Sequence, residues 1–396
     1  MRGLESRGLA EVLVTNVRPS AAVCAAVLLL VLWPVAPVPV RASTSIRVGV
    51  VREVDRVSIV FDRPVGLIAG PLVSLRLEPG AYDFVARAAG IEVAGAGTRF
   101  ENSIRLSPTE GGRLYIGIRP YRGLLELRRT GSGRLTVINE VDLEEYLYGV
   151  LKMEVDPEWP ADALKAQAVA ARTLALQSMG RFASEGYDVR ATTDTQVYGG
   201  ISAEDPRTTA AVEDTRGEIM TYEGRPIFAA YHSDSGGYTE SSELVWGGRY
   251  PYLQAVPDPY STGAPDHEWM VRMDLPAFEE RLRRAGRSAN GITGIEVVET
   301  TPSGRVGLVR ITGTHGVVTV KGTDLRAIMG ATLLRSTLFI VRITPDEQPL
   351  VEFLGRGSGH GVGLSQWGAR GMAASGRTYT EILKYYYTGI EISRSQ

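Results

Sequence analysis

Residues 139–177 read NEVDLEEYLYGVLKMEVDPEWPADALKAQAVAARTLALQ, and this stretch decides the centre of the fold. Asp142 and Glu145 form a helix-capping pair, and the apolar residues after them recur at helical spacing. Pro157 and Pro160 then prevent a continuous helix and favour an extended backbone before each proline. The pattern therefore predicts a helix, a break, and a second helix that begins at Pro160.

The second predicted helix has a buried stripe that consists mostly of alanine: Leu164, Ala168, Ala171 and Ala175. Small side chains let another backbone approach closely, so we expect this helix at the centre of its domain. Glu154 lies at the break, close to the positive N-terminal end of the helix. A carboxylate in this position stays ionised unless burial opposes it.

Local pattern alone does not make Glu154 a catalytic residue, because a glutamate at a helix end is usually a solvated surface charge. Four other carboxylates in the same stretch compete with it on equal local terms: Glu144, Glu145, Asp156 and Glu158. Evidence from beyond the stretch is needed to choose among them.

That evidence comes from motifs along the chain. The stretch resembles the signature of the stage II sporulation protein D family (SpoIID/LytB domain), whose members carry a glutamate just before a helix reading LKAQAVAAR. Further matches follow in the family's order: DTQVYGG at residues 194–200, AAYHSDSGGYTES at 229–241 and GHGVGLSQWGARGMA at 359–373. Together they span roughly residues 137–392, and ordered motifs are far more specific than any single one.

The resemblance implies an extracytoplasmic protein of peptidoglycan remodelling, in sporulation among other settings. Family members similar to this chain are lytic transglycosylases that act on glycan strands stripped of peptide, while others enhance a cell-wall amidase. The position matching the family's catalytic acid is Glu154. We expect peptidoglycan glycan strands as the main partner, with a cell-wall amidase or a wall-remodelling complex as the protein partner. Enzyme and noncatalytic enhancer both stay open.

A lytic transglycosylase can work with a single carboxyl group. The glutamate first protonates the glycosidic oxygen and then removes the proton of the sugar's C6 hydroxyl, which attacks the anomeric carbon and gives a 1,6-anhydro product. For the acid step, the pKa of Glu154 must be raised from ~4.3 by burial against neighbours such as Trp159. The helix N-terminus acts in the opposite direction, because it stabilises the carboxylate.

Two motifs supply candidates for a sugar-binding groove. DTQVYGG offers an amide and a phenol to a sugar, although by itself it also fits a polar turn. Residues 356–371, RGSGHGVGLSQWGARG, carry glycine at alternate positions and leave one strand face bare, with internal packing of the other side chains as the rival interpretation. We predict substrate-binding roles for Gln196, Tyr198, His232, His360, Ser365, Gln366 and Trp367. For His232, a structural hydrogen-bonding role is the main alternative.

Composition argues against several other functions. The net charge of −2 argues against a nucleic-acid partner. Cys24 is the only cysteine and the four histidines are scattered, so we predict no metal site and no cofactor. The glycine-rich segment lacks the strand, helix and later acidic residue of a dinucleotide site. A serine nucleophile at Ser365 lacks the G-x-S-x-G spacing.

The N-terminal residues 1–42 read as a signal peptide or a membrane anchor. Arg2, Arg7 and Arg18 precede an apolar run at residues 20–40 that three prolines interrupt, which favours a cleaved export signal. An uncleaved tether is the alternative. We therefore expect an extracytoplasmic location: secreted, periplasmic or associated with the cell wall.

The rest of the chain is predicted as α+β in two parts. Residues 43–134 read as short strands separated by glycine and proline, which indicates a β-rich accessory domain. Residues 135–396 form the predicted mixed α+β core, which resembles the SpoIID/LytB domain around its alanine-rich helix. Within this core, residues 212–221 and 226–232 are expected to be strands.

Overall fold

The computed structural model describes residues 44–70, 72–94, 98–345 and 347–394. The predicted signal peptide or anchor at residues 1–42 lies outside the described residues. Within them the fold is mixed α+β with a strand-rich N-terminal region, which confirms the predicted fold class.

Strands alone make up the regular structure before the first helix in the described part of the chain. They are Ser45–Val54 (β1), Arg56–Phe61 (β2), Val65–Ala69 (β3), Leu72–Leu77 (β4), Gly80–Arg87 (β5), Gly90–Val93 (β6), Thr98–Phe100 (β7), Ser103–Pro108 (β8), Leu114–Ile116 (β9), Arg119–Tyr121 (β10), Leu124–Arg129 (β11) and Leu135–Asp142 (β12). Alternating burial along β2 matches the half-buried antiparallel strands that the sequence predicts.

Helices and short strands alternate in the rest of the described chain. The helices are Leu143–Glu154 (α1), Ala161–Ser178 (α2), Pro206–Asp214 (α3), Ser242–Trp246 (α4), Leu275–Arg284 (α5), Gly322–Met329 (α6), Gln366–Ala374 (α7) and Tyr379–Tyr386 (α8). The strands are Val189–Arg190 (β13), Glu218–Tyr222 (β14), Arg225–Pro226 (β15), Tyr231–His232 (β16), Glu268–Asp274 (β17), Ile292–Thr300 (β18), Val306–Gly313 (β19), Gly316–Lys321 (β20), Phe339–Ile343 (β21), Leu350–Arg356 (β22), Leu364–Ser365 (β23) and Glu391–Arg394 (β24).

Two large sheets share one hydrophobic core with α1 and α2. The first has the strand order β13-β1-β12-β11-β8-β3-β4, and the second has the order β10-β9-β2-β5-β6-β7. The domain boundary predicted near Arg134 falls between β11 and β12, which pair along their length. Residues 44 onward form one compact unit, so the division into an accessory domain and a core stays a prediction.

The two predicted helices and their break are present. The Asp142 carboxylate caps α1 by accepting from the backbone N–H of Glu144 at 2.9 Å and of Glu145 at 3.3 Å. Helix α1 ends at Glu154 and α2 begins at Ala161, with Pro160 as its N-cap. The predicted capping box at the start of α8 is also formed.

Helix α2 is buried on two sides, as expected for a central helix. Its predicted stripe packs into the core shared with the large sheets, and Ala166, Val169 and Ala170 pack into a second core with α7 and α8. Side chains as small as alanine allow close approach on both sides. The break before α2, where Glu154 lies, is therefore joined to a well-buried helix.

Two segments differ from their sequence predictions. The strand expected at residues 226–232 is formed only at its ends, by β15 and β16. Residues 206–214 form helix α3, so the strand expected to start at residue 212 begins only at Glu218. Asp205 caps this helix by accepting from the Arg207 N–H at 3.0 Å, and Pro206 occupies the first helical position. This start signal outweighs the apolar content of the segment.

A third hydrophobic core lies between residues 269 and 353 and contains side chains of α5, α6 and two three-stranded sheets. Near it, β16 and β23 pair in parallel, which sets Tyr231 beside Leu364 and His232 beside Ser365. This pairing brings two sequence motifs together at the start of α7. A search of the described helices finds none with the length and apolar character needed to span a bilayer.

Candidate functional site

Glu154 ends helix α1 and is partly buried. Its carboxylate accepts hydrogen bonds from the Tyr231 hydroxyl, the Gln366 side chain and the Val197 backbone N–H. Burial raises the pKa of Glu154 above its usual value, and these three donors oppose the rise because they stabilise the charged form. The expected effect of burial is thus present.

A chain of hydrogen bonds stands behind Glu154. The Tyr146 hydroxyl donates to Gln196 Oε1 at 3.3 Å, and Gln196 Nε2 donates to the Tyr231 hydroxyl at 3.1 Å and to the Ala171 carbonyl at 3.3 Å. Since the Tyr231 oxygen accepts from Gln196, its own proton points to Glu154. Burial raises the pKa of both phenols, so both stay neutral donors.

Two tryptophan rings, one from the break before α2 and one from the start of α7, are in contact. The Trp367 ring meets the Trp159 ring edge-to-face, with centroids 5.2 Å apart, and both rings are half-buried. The Arg370 guanidinium lies over Trp367, 4.9 Å from its ring centroid. Two of the predicted residues, Gln366 and Trp367, therefore lie at the Glu154 site.

His232 and His360 are neighbours whose rings are 5.5 Å apart. His232 Nδ1 lies 3.1 Å from the Val362 carbonyl, and His360 Nδ1 accepts from the Val362 N–H at 3.0 Å. Burial lowers the pKa of His232 far below its usual range and that of His360 to about 4. Both imidazoles are therefore neutral at physiological pH, and the Trp246 ring lies 5.0 Å from His360.

Comparison with known proteins agrees with these motifs. A family model described as stage II sporulation protein matches residues 131–222, which contain Glu154 and Gln196. Stage II sporulation protein D of Bacillus subtilis is 36% identical over 276 residues, which are 65% of this chain and 76% of that protein.

The chain belongs to the stage II sporulation protein D family. An uncharacterised protein of Brachyspira hyodysenteriae is 34% identical over 285 residues, 72% of this chain and 75% of that protein. The amidase enhancer of Bacillus subtilis is 30% identical over 295 residues, 62% of this chain but only 40% of that protein. A second family model, a domain of unknown function, matches residues 260–363.

The structure distinguishes Glu154 from the four carboxylates that compete with it in the sequence. Glu144 is buried and bound to Arg172 at 2.7 Å, while Glu145 lies 3.7 Å from Arg122. The two remaining competitors are exposed: Asp156 accepts from the Glu158 N–H at 2.9 Å, and Glu158 pairs with Arg207. Glu154 combines partial burial with hydrogen-bond donors and, among the described residues, has no ion-pair partner.

Three more of the predicted residues are buried inside the protein. Tyr198 is in the core and donates to Asn139 Oδ1 at 2.9 Å. Gln196 is also buried and acts through Tyr231. Ser365 is fully buried and accepts from the backbone N–H of Gly368 at 3.2 Å, which caps α7. For these residues the geometry fits internal packing better than an open groove.

The sequence does not predict two of the residues that contact Glu154, Tyr231 and Val197. Tyr231 lies inside the AAYHSDSGGYTES motif, directly before His232, so its motif position was a usable signal. The Val197 N–H is a backbone group and carries no side-chain signal. Among the described residues, no cluster of three or more His, Cys, Asp or Glu side chains is arranged to hold a metal ion. The absence of a metal and of a cofactor stays a prediction.

Proposed function

We propose that this chain acts on the cell wall and cleaves peptidoglycan glycan strands as a lytic transglycosylase, with Glu154 as the catalytic acid and base. The observation that carries the proposal is the environment of Glu154: burial raises its pKa, its three hydrogen-bond donors are uncharged, and it has no ion-pair partner among the described residues. The family supports this assignment, since its signature stretch ends α1 with this glutamate.

The proposed reaction uses Glu154 twice. The protonated carboxyl group gives its proton to the glycosidic oxygen between muramic acid and the next sugar, and the bond from that oxygen to the anomeric carbon breaks. The carboxylate then takes the proton of the C6 hydroxyl, whose oxygen bonds to the anomeric carbon. The product is a 1,6-anhydro sugar, the proton is restored to Glu154, and water is not consumed.

The contacts of Glu154 suit both halves of this cycle. Burial favours the neutral acid before bond cleavage, because it destabilises the charged form. Tyr231, Gln366 and the Val197 N–H stabilise the carboxylate after the proton has left. The Trp159 and Trp367 rings, which pack against each other, would offer an aromatic surface to a sugar ring.

The proposal extends to location and partners. Residues 1–42 would export the chain or tether it outside the cytoplasm, and residues 43–134 would serve as an accessory domain. A second function is supported by the relative named amidase enhancer. In that case the same site would bind glycan without cleaving it, and the chain would activate a cell-wall amidase.

The test compares the full chain with Glu154→Gln on peptide-stripped glycan strands. Glutamine keeps the shape of the side chain but cannot cycle a proton, so turnover should fall by a factor of about 10² or more. Glu158→Gln is the matched control, because Glu158 is exposed and only four residues away. Undiminished turnover in Glu154→Gln would refute the assignment, and glycan binding without cleavage by the unmodified chain would favour the enhancer.

A further inference from the structure

The first five residues of α7 include Gln366, Trp367 and Arg370. The Gln366 side chain contacts the Glu154 carboxylate. Arg370 follows Gln366 by four residues and therefore lies on the same side of the helix. Between them, Trp367 lies under the Arg370 guanidinium and packs edge-to-face with Trp159. The Arg370 guanidinium is thus held one helical turn from Gln366, the residue of α7 that reaches Glu154.

Arg370 differs from most arginines of the described chain in having no carboxylate partner within the described residues. It is half-buried, and its guanidinium lies over the Trp367 ring. A stacked guanidinium keeps its N–H groups available at its edge, where they match the two oxygens of a carboxylate. The arrangement is that of an arginine prepared for an external anion.

We propose that Arg370 binds the lactyl carboxylate of a muramic acid residue from which the peptide has been removed. This inference rests on the proposed function, because it places the muramic acid ring at the Glu154 site. The lactyl group is attached to C3 of the same ring whose anomeric bond would break. An anchor on the helix that also carries Gln366, but separate from Glu154, suits that attachment point.

The chemistry of the substrate explains the selectivity that Arg370 would give. In an intact strand the lactyl group is joined to the peptide by an amide, which has no charge. Removal of the peptide by hydrolysis leaves a carboxylate at the same position. Arg370 would therefore favour stripped strands over intact strands, and over chitin, which has no lactyl group at all. Arg370 would act as a specificity residue, while Glu154 carries the proton.

The test measures binding by calorimetry in the full chain carrying Glu154→Gln, which prevents turnover. The two ligands are a peptide-stripped tetrasaccharide of alternating N-acetylglucosamine and N-acetylmuramic acid, and chitotetraose. We expect the stripped ligand to bind about tenfold more tightly than chitotetraose, since a charge-assisted hydrogen bond separates them. Adding Arg370→Gln should reduce this ratio to near one, and Arg370→Lys should keep part of it because lysine keeps the charge.

Arg377→Gln is the matched control, because Arg377 follows the other end of α7 and pairs with Glu381 at 3.3 Å. It should leave the ratio as it was. If Arg370→Gln weakens both ligands equally, Arg370 only supports Trp367 and the carboxylate assignment is wrong. An unchanged ratio would overturn it as well. If the chain with an intact Arg370 binds neither ligand, the proposed function itself fails, and that result is distinct from the first two.

Discussion

Removal of the Glu144 carboxylate gives the clearest prediction about stability. Arg172 is fully buried, and its Nε and Nη2 atoms donate to the Glu144 oxygens at 2.7 to 3.0 Å. In Glu144→Ala, Arg172 would keep only uncharged acceptors, including the Val212 and Glu218 carbonyls, each at 3.0 Å. A buried cation without its anion costs about 3–5 kcal/mol, so the free energy of unfolding should fall by that amount.

The assay is urea denaturation followed by circular dichroism, with the free energy extrapolated to water. Glu158→Ala is the control, because its ion pair with Arg207 is exposed and should leave the midpoint unchanged within error. The double variant Glu144→Leu with Arg172→Met should recover much of the loss, since a hydrophobic pair of similar volume needs no counter-charge. A loss below about 1 kcal/mol in Glu144→Ala would refute the reasoning.

Three further predictions follow from local contacts. Since burial raises the pKa of Glu154, the contribution of this side chain to stability is complete below its unfolded pKa and is lost as pH rises through its folded pKa. Glu154→Gln should therefore raise the melting temperature more at about pH 8 than at about pH 4. Equal gains at the two pH values would contradict this. Tyr231→Phe should raise the pKa of Glu154 further, because it removes a donor to the carboxylate. A carbon NMR titration measures this pKa, and a lower pKa in Tyr231→Phe would contradict the reasoning. Gly149→Ala should lower the free energy of unfolding, measured by urea denaturation, by about 1–3 kcal/mol, because the new Cβ would lie 2.6 Å from the Tyr198 ring. Gly131→Ala is the control and should leave the free energy of unfolding unchanged, because open space surrounds Gly131.

Local signals were sufficient for the centre of the fold. Asp142 at a helix start and two prolines after the helix predict α1, the break and the start of α2, because capping and proline geometry act over a few residues. The alanine stripe of α2 predicts a buried helix for a similar reason. The same kind of signal was overlooked at Asp205 and Pro206, which begin α3.

The candidate site was less predictable because its residues meet across long sequence distances. Glu144 and Glu154 look alike in sequence, and Arg172 distinguishes them only after α2 has folded against α1. Tyr198 was predicted to line a cleft, yet its phenol reaches Asn139, a residue of β12. A polar side chain in a loop motif can face a groove or the interior, and the position of its hydrogen-bond partner in the folded chain decides which.

The most direct test of the account is the mass of the products formed from peptide-stripped glycan in water enriched in ¹⁸O. Intramolecular attack by the C6 hydroxyl predicts 1,6-anhydro ends, each one water lighter than a hydrolysed end, with no ¹⁸O, and none of these products with Glu154→Gln. Reducing ends that carry ¹⁸O would contradict the single-carboxylate mechanism, because they would show that water attacks the anomeric carbon.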